Sequence, residues 1–283
     1  MDLREQKNAG YYVRYTIRYI ILIVTSLIVI APLLTAFLGA FKTHEQLLSE
    51  NPLSLPDSWL YLENFKTAWK NGHMARGFFN TAIILCVSIF ATILTGTMTA
   101  YVLARFQFRG KKVIKFLFLM ASLIPSITMQ MSVFQIIVGL GLFNTRLATI
   151  VLFAGTDIIS IYIFLQFLEG IPYSLDEAAI VDGASFPRIY FTVILPLLKP
   201  AIVTVIIIKG IGFYNEFYTP FLYMKDKKLQ VISTALYAFQ GPYGSQWEII
   251  CAACLITMLP TLILFLLLQK YIYSGLTMGA VKG

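Results

Sequence analysis

Long apolar blocks separated by short polar stretches set the pattern of this chain. Residues 19–41, 78–104, 116–139, 147–168, 200–224 and 249–269 are each long and apolar enough to cross a bilayer, which takes about 20 residues as a helix. Within hydrocarbon a segment must satisfy its own backbone amides and carbonyls, and a helix does so internally. The pattern predicts an all-α, polytopic membrane protein with six transmembrane helices. Arg4, Lys7, Arg14 and Arg18 precede the first block, as in a secretory signal. That block exceeds the usual signal core of roughly 7–15 residues, so it reads as an uncleaved first span behind an N-terminal segment, 1–18. Pro125 predicts a kink in the third span, and Asp157 interrupts the fourth.

Composition agrees with the pattern. Of 283 residues, 58% are hydrophobic and only 13% charged, against about 25% charged in a soluble domain. The net charge of +8 comes without a basic stripe interleaved with aromatics, which speaks against nucleic acid as a partner. It fits cytoplasmic loops beside spans in contact with lipid. Cys86, Cys251 and Cys254 lie in apolar runs. The Cys251-Ala-Ala-Cys254 spacing lacks histidine or further cysteine partners, so these thiols read as small apolar side chains.

Charge also orients the spans. The run Arg105, Arg109, Lys111, Lys112 and Lys115 contains no acid and marks the loop between spans two and three as cytoplasmic. Both termini and the segment 172–196 then face the cytoplasm as well. The opposite loop, 42–76, is mixed in charge and dotted with Trp59, Tyr61, Phe65 and Trp69. Two readings stand for it: an interfacial or partner-facing segment, or an ordinary surface loop with aromatics at headgroup level.

Segment 172–196 is the one long stretch where polar, turn and apolar signals interleave. Ser174-Leu-Asp-Glu177 has the form of a capping box, and Pro172 ahead of it cannot extend a helix backwards. Gly183 offers a left-handed stop. Ser185 and Pro187 suit the start of a second short helix, which Pro196 would close.

Glu177, Ala178, Ala179, Asp182, Gly183, Ala184, Leu195, Pro196 and Pro200 stand at the spacing of the EAA loop. The chain therefore resembles the membrane subunits of binding-protein-dependent ABC importers, with the type I importer transmembrane fold. The ending Gly275-Leu-Thr-Met-Gly-Ala-Val-Lys-Gly283 and the segment Tyr214-Asn-Glu-Phe217 with Pro220 resemble the carbohydrate-uptake branch, in subunits similar to the smaller maltose permease. Arg188 stands where many relatives carry Gln, and Tyr190 where most carry Phe.

The resemblance implies that the EAA loop docks on a separate ATPase subunit, with Glu177, Ala178, Ala179, Asp182, Gly183 and Ala184 at the contact. It implies that Gly279, Ala280, Val281, Lys282 and Gly283, at the end of the tail 270–283, reach the same ATPase dimer. The implied partners are a second permease subunit, two ATPase subunits and an extracytoplasmic sugar-binding protein. This chain would hold no cofactor, ATP and Mg belonging to the ATPases. The implied location is the bacterial inner membrane. On spacing alone, Glu177 and Asp182 could equally serve only the helix ends.

No phosphate-binding Gly-x-x-x-x-Gly-Lys-Ser/Thr, nucleophile elbow or dinucleotide loop occurs, and His44 and His73 are isolated. The energy for transport is thus expected outside the chain. Inside the spans, Asp157, Lys209 and Glu216 require a bundle interior or a hydrated cavity, since a charge facing lipid costs about 2.5–3.5 kcal/mol or more. Lys209 and Glu216, two helical turns apart, would share a face of span five. Aromatic faces suit sugar C–H surfaces, and carboxylates or amides suit hydroxyls. Tyr214, Asn215, Glu216, Phe217 and Lys209 are therefore candidates for a translocation path, or else for polar contacts that order the bundle. An ion-coupled secondary transporter relaying through Asp157, Lys209 and Glu216 is the alternative class.

Overall fold

A computed structural model describes residues 9–155, 157–241 and 244–280. Its helices are α1 (Ala9–Gly39), α2 (His44–Ser49), α3 (Glu63–Asn71), α4 (Met74–Arg105), α5 (Lys111–Leu123), α6 (Gln130–Gly139), α7 (Arg146–Ala154) and α8 (Ile158–Glu169). There follow α9 (Ser174–Val181), α10 (Phe186–Ile189), α11 (Leu195–Leu197), α12 (Lys199–Asn215), α13 (Tyr218–Tyr223), α14 (Ile232–Ala235) and α15 (Trp247–Ala280). Strands β1 (Gln240–Gly241) and β2 (Gly244–Ser245) form a two-residue antiparallel ribbon that the all-α expectation did not include.

Among the described residues, three helices are long and apolar enough to span a membrane: α1 over Arg14–Gly39, α4, and α15 over Trp247–Leu267. Three bent pairs, α5 with α6, α7 with α8, and Phe186–Leu197 with α12, raise the number to six if each counts as one span. The expected spans three, four and five are thus broken helices. Ile124 and Pro125 leave the helical region between α5 and α6, as a proline without an amide hydrogen favours. Gly155 ends α7, and Asp157 is the extended cap before α8. The expected span 200–224 stops at Asn215, because Glu216 adopts an extended backbone. The presumed tail 270–283 is instead helical up to Ala280.

By contact density the chain forms two compact units: residues 1–72 with 236–258, and residues 73–235 with 259–283. In the second, α4 is the central post. It turns Gly77, Thr81, Ser88, Thr92, Gly96 and Ala100 inward at helical spacing, small residues of the kind that let membrane helices approach closely. Gly96 is the tighter of the two glycines. A Cβ there would sit 3.0 Å from the Phe164 ring of α8. The main core joins Ala100, Tyr101 and Leu103 of α4 to Phe164, Leu165 and Leu168 of α8, to Ile189, Tyr190 and Ile194, and to Ala201 and Val205 of α12. At the other end of α4, buried Asn80 donates to the carbonyls of Lys228 and Gln230 at 2.9 and 2.8 Å and accepts from Arg146 Nε at 3.0 Å.

In the first unit, no residue in the apolar window of α1 is buried. The stretch after it is folded rather than loose. Lys42, wholly buried, donates to Asn51 O and Ser54 Oγ at 3.1 and 2.7 Å. Asn64 donates to Ala40 O and Lys42 O at 2.9 and 2.8 Å.

Candidate functional site: an anchored helix and a polar cavity

Segment 172–196 is built on Asp176. This residue lies on the inner face of α9 with its carboxylate buried. Arg105, the last residue of α4, places Nε 3.1 Å from Asp176 Oδ2. The approach is off the N–H axis, so the contact is an ion pair rather than an in-line hydrogen bond. The Tyr101 hydroxyl donates to Asp176 Oδ1 at 3.3 Å. Arg105 Nη2 donates to Ile171 O at 2.9 Å, and the guanidinium lies 5.6 Å from the Tyr173 ring centroid. One guanidinium therefore gathers the carboxylate, the carbonyl ahead of the helix and an aromatic face, as its planar fork allows.

The turn after α9 is made by backbone. Gly183 has φ +77°, a conformation that glycine adopts without the Cβ clash of other residues. Ala184 N–H donates to Ala179 O and Gly183 N–H to Ile180 O, both at 2.9 Å. These bonds form a Schellman motif and satisfy carbonyls that the helix end would otherwise leave open. Ser185 caps α10 in position, without a side-chain bond. From there the chain enters the core. Tyr190 shares a 2.7 Å hydrogen bond with Thr97 Oγ1, and its ring lies 5.6 Å from that of Tyr101. Phe186 meets Phe106 edge-on at 5.0 Å.

Two local expectations fail. Ser174 is the first helical residue, Tyr173 holds the cap position, and no side-chain cap bond forms. The burial of Asp176 against Arg105 sets the start of α9, which leaves the capping box unformed and Glu177 exposed. Pro196 does not close the second helix. The path widens through a π-helical turn at Tyr190–Ile194, where Leu195 N–H reaches Tyr190 O. It continues through Pro196 to Leu197 and bends by 71° into α12. A wider turn ahead of a proline relieves the loss of its amide hydrogen and the clash of its ring.

Of the six motif residues singled out, Glu177, Ala178, Asp182 and Gly183 are exposed, whereas Ala179 and Ala184 are half-buried against the chain's own core. Ala179 is thus used for internal packing. At the C-terminus, Gly279 and Ala280 end α15, while Val281, Lys282 and Gly283 lie outside the described residues.

Lys209 does not join Glu216 on a helix face. Its Nζ lies 2.8 Å from Asp157 Oδ1, and Ser160 Oγ donates to Asp157 Oδ2. Because α12 ends at Asn215, Glu216 turns its carboxylate onto the next helix and accepts from Thr219 N at 3.0 Å. Asp157, Lys209, Glu216 and Thr219 nevertheless line one cavity of about 620 Å³ where α7 meets α8 and α12 meets α13. Phe153 and Phe213, stacked at 4.4 Å, form part of its wall. Of the remaining candidates, Asn215 is exposed, Tyr214 faces two apolar cavities beside α4 and α12, and Phe217 stacks on Phe221 at 5.0 Å.

Sequence reasoning missed Asp176 and gave Arg105 only an orienting role. The available signal was an acid three residues before Ala179, hence on the same inward face of a short helix.

Fold and site together define a helical membrane subunit that presents a short, firmly anchored helix outside its apolar core. The profile of the binding-protein-dependent transport system inner membrane components matches residues 92–278, and the chain belongs to that family. It is 34% identical over 224 residues to the melibiose/raffinose/stachyose import permease protein MelC of Bacillus subtilis (strain 168), covering 78% of this chain and 80% of that one. It is also 34% identical to the probable starch degradation products transport system permease protein AmyC of Thermoanaerobacterium thermosulfurigenes, covering 92% and 94%. The fold is similar to that in the crystal structure of a bacterial ABC transporter involved in the import of the acidic polysaccharide alginate. The TM-score is 0.78 at 19% identity, over 93% of this chain and 98% of that chain.

Proposed function

We propose that this chain is a permease subunit of an ATP-driven importer of a sugar or oligosaccharide in a bacterial cell membrane. In this reading it crosses the membrane six times with both termini and segment 172–196 in the cytoplasm. It works with a second permease subunit, two ATPase subunits that bind ATP and Mg, and an extracytoplasmic binding protein. The sugar assignment is supported by the transport roles of the similar permeases MelC and AmyC.

The observation that carries the coupling role is the exposure of Glu177, Ala178, Asp182 and Gly183 on a helix whose inner face is pinned by Asp176 and Arg105. A lever must be accessible on one side and rigid on the other. A force applied at Glu177 passes through Asp176, Arg105 and Tyr190 into α4 and the core with α8 and α12. ATP binding would draw these helices with the ATPases and open the spans outward, and hydrolysis would return them inward, giving alternating access. Gly279 to Gly283 are the second candidate contact.

Membership in a binding-protein-dependent family speaks against the ion-coupled alternative. The deciding measurement is uptake by proteoliposomes containing the permeases, with and without ATPase subunits. ATP-dependent accumulation that is abolished by Glu177→Lys combined with Gly183→Val, while the spans stay folded, is the expected result. Accumulation driven by a proton or sodium gradient without ATPase would overturn the proposal.

A further inference from the structure

The segment after α1 carries a feature that the importer reading does not use. Three of its polar side chains are buried, while five of its leucines are exposed alongside charged residues such as Glu63 and Lys66. Lys42, Gln46 and Asn64 are buried and hydrogen-bonded within the segment. Leu48, Leu53, Leu55, Leu60 and Leu62 are exposed, Leu60 to 86%. In water the exposure of these leucines is unfavourable, at about 25 cal/mol for each Å² of apolar surface left wet.

Position supplies the second observation. The segment sits where one apolar span ends and another begins. A Cβ on Gly39, the last residue of α1, would lie 3.1 Å from Cys251 Sγ of α15 and 3.4 Å from Leu47 of α2. His44 Nδ1 lies 3.0 Å from Glu248 Oε2 in the first turn of α15. An aromatic ladder leaves α1 through Phe37 and Phe41 and continues to Trp59 and Phe65, with ring centroids 5.1–6.0 Å apart. All three tryptophans of the chain, Trp59, Trp69 and Trp247, lie in this unit and are half-exposed at 47, 48 and 53%. Indole rings favour the boundary between hydrocarbon and water, where their apolar bodies and polar N–H groups are both accommodated.

We propose that residues 40–72, together with the first turn of α15, form an interfacial platform seated in the lipid headgroup region, with bilayer lipid as its partner. The apolar surface is continuous with α1, none of whose apolar window is buried by the chain itself, so one lipid boundary runs from the span onto the platform. The buried Lys42 and Asn64 hold the segment in register, and the leucines and indoles anchor it against tilting of α1. This is independent of what the importer carries.

The test places the full chain, in its complex, in bilayers of phosphatidylethanolamine and phosphatidylglycerol with lipids brominated near the headgroup or near the chain end. With the other subunits made free of tryptophan, Trp69→Phe with Trp247→Phe leaves Trp59 as the only reporter. Emission is expected to be quenched about twofold or more by shallow bromines, less by deep ones, and little by aqueous acrylamide. A second reporter guards against disturbed packing: Leu60→Trp combined with Trp59→Phe, Trp69→Phe and Trp247→Phe should give the same order. Strong acrylamide quenching without lipid quenching at both positions would overturn the proposal and assign the surface to water or a soluble protein.

Discussion

Arg105 Nε and Asp176 Oδ2, 3.1 Å apart, join the end of α4 to the inner face of α9. Both side chains are almost wholly buried, at 10% and 4% exposure. Removing one member of such a pair leaves an uncompensated charge, which typically costs about 3–5 kcal/mol. Asp176→Ala is expected to destabilise the detergent-solubilised subunit by that order. Arg105→Met with Asp176→Leu should recover a good part of the loss, since it leaves no buried charge behind. Thermal unfolding of the parent, of Asp176→Ala and of Arg105→Met with Asp176→Leu measures it. A single variant as stable as the parent would mean that the ion pair does not hold α9.

Gly183 separates backbone strain from crowding. Its φ of +77° disfavours any side chain, yet a Cβ there would meet nothing within 4 Å. Gly183→Ala is expected to cost about 1–2 kcal/mol, from strain alone. Gly183→Val should cost more, because a β-branched residue tolerates positive φ poorly. Comparison of the two by chemical unfolding, alongside ATPase activity of the assembled complex, checks this. Alanine should uncouple less than valine.

The pair Asp157–Lys209 bridges the break between α7 and α8 to the middle of α12, beside a polar cavity. Neutralising either residue alone, as Asp157→Asn or Lys209→Met, should destabilise by about 3 kcal/mol, the low end for broken buried pairs, because both groups line a polar cavity and are not fully buried. Asp157→Leu with Lys209→Met should be milder than the sum. If the singles fold normally but uptake fails, the pair acts in the path rather than in the bundle.

A pH effect is expected outside the membrane. The Ser54 hydroxyl, hydrogen-bonded at 2.6 Å, lowers the Glu50 carboxyl below its ordinary value, with smaller help from Gln46 and the Lys42 ammonium. A lowered carboxylate stabilises the fold above its unfolded pKa and loses that effect as pH falls through the folded one. Segment 40–72 should therefore lose that contribution on acidification below about pH 4.5, and Ser54→Ala should shrink the pH dependence. Trp59 emission followed against pH, in the Trp69→Phe, Trp247→Phe background with and without Ser54→Ala, reads both.

Much of this molecule is legible in its sequence, and what is not has a common cause. The apolar blocks mark the membrane helices because lipid admits few alternatives. Gly183, Pro125 and Asp157 mark turns or breaks because each acts within its own few residues. The Arg105–Asp176 pair, the Lys42 cluster and the Lys209–Asp157 contact depend on partners far along the chain or on which face turns inward. Local pattern carries neither. The break at Glu216 is hidden for another reason: apolar residues continue on both sides of it, so periodicity alone runs straight through to 224. The capping box at Ser174 fails because burying Asp176 outweighs a local bond worth only about 1 kcal/mol.

The reversal at Gly183 is held by main-chain bonds, and α9 is gripped from beneath through Asp176. Glu177, Ala178 and Asp182 are therefore released from architectural duty. Under the proposed coupling role, their letters can be rewritten to suit a different motor without rebuilding the joint, so a transplanted address on this helix should redirect the subunit to another family member's ATPase while its melting temperature stays unchanged.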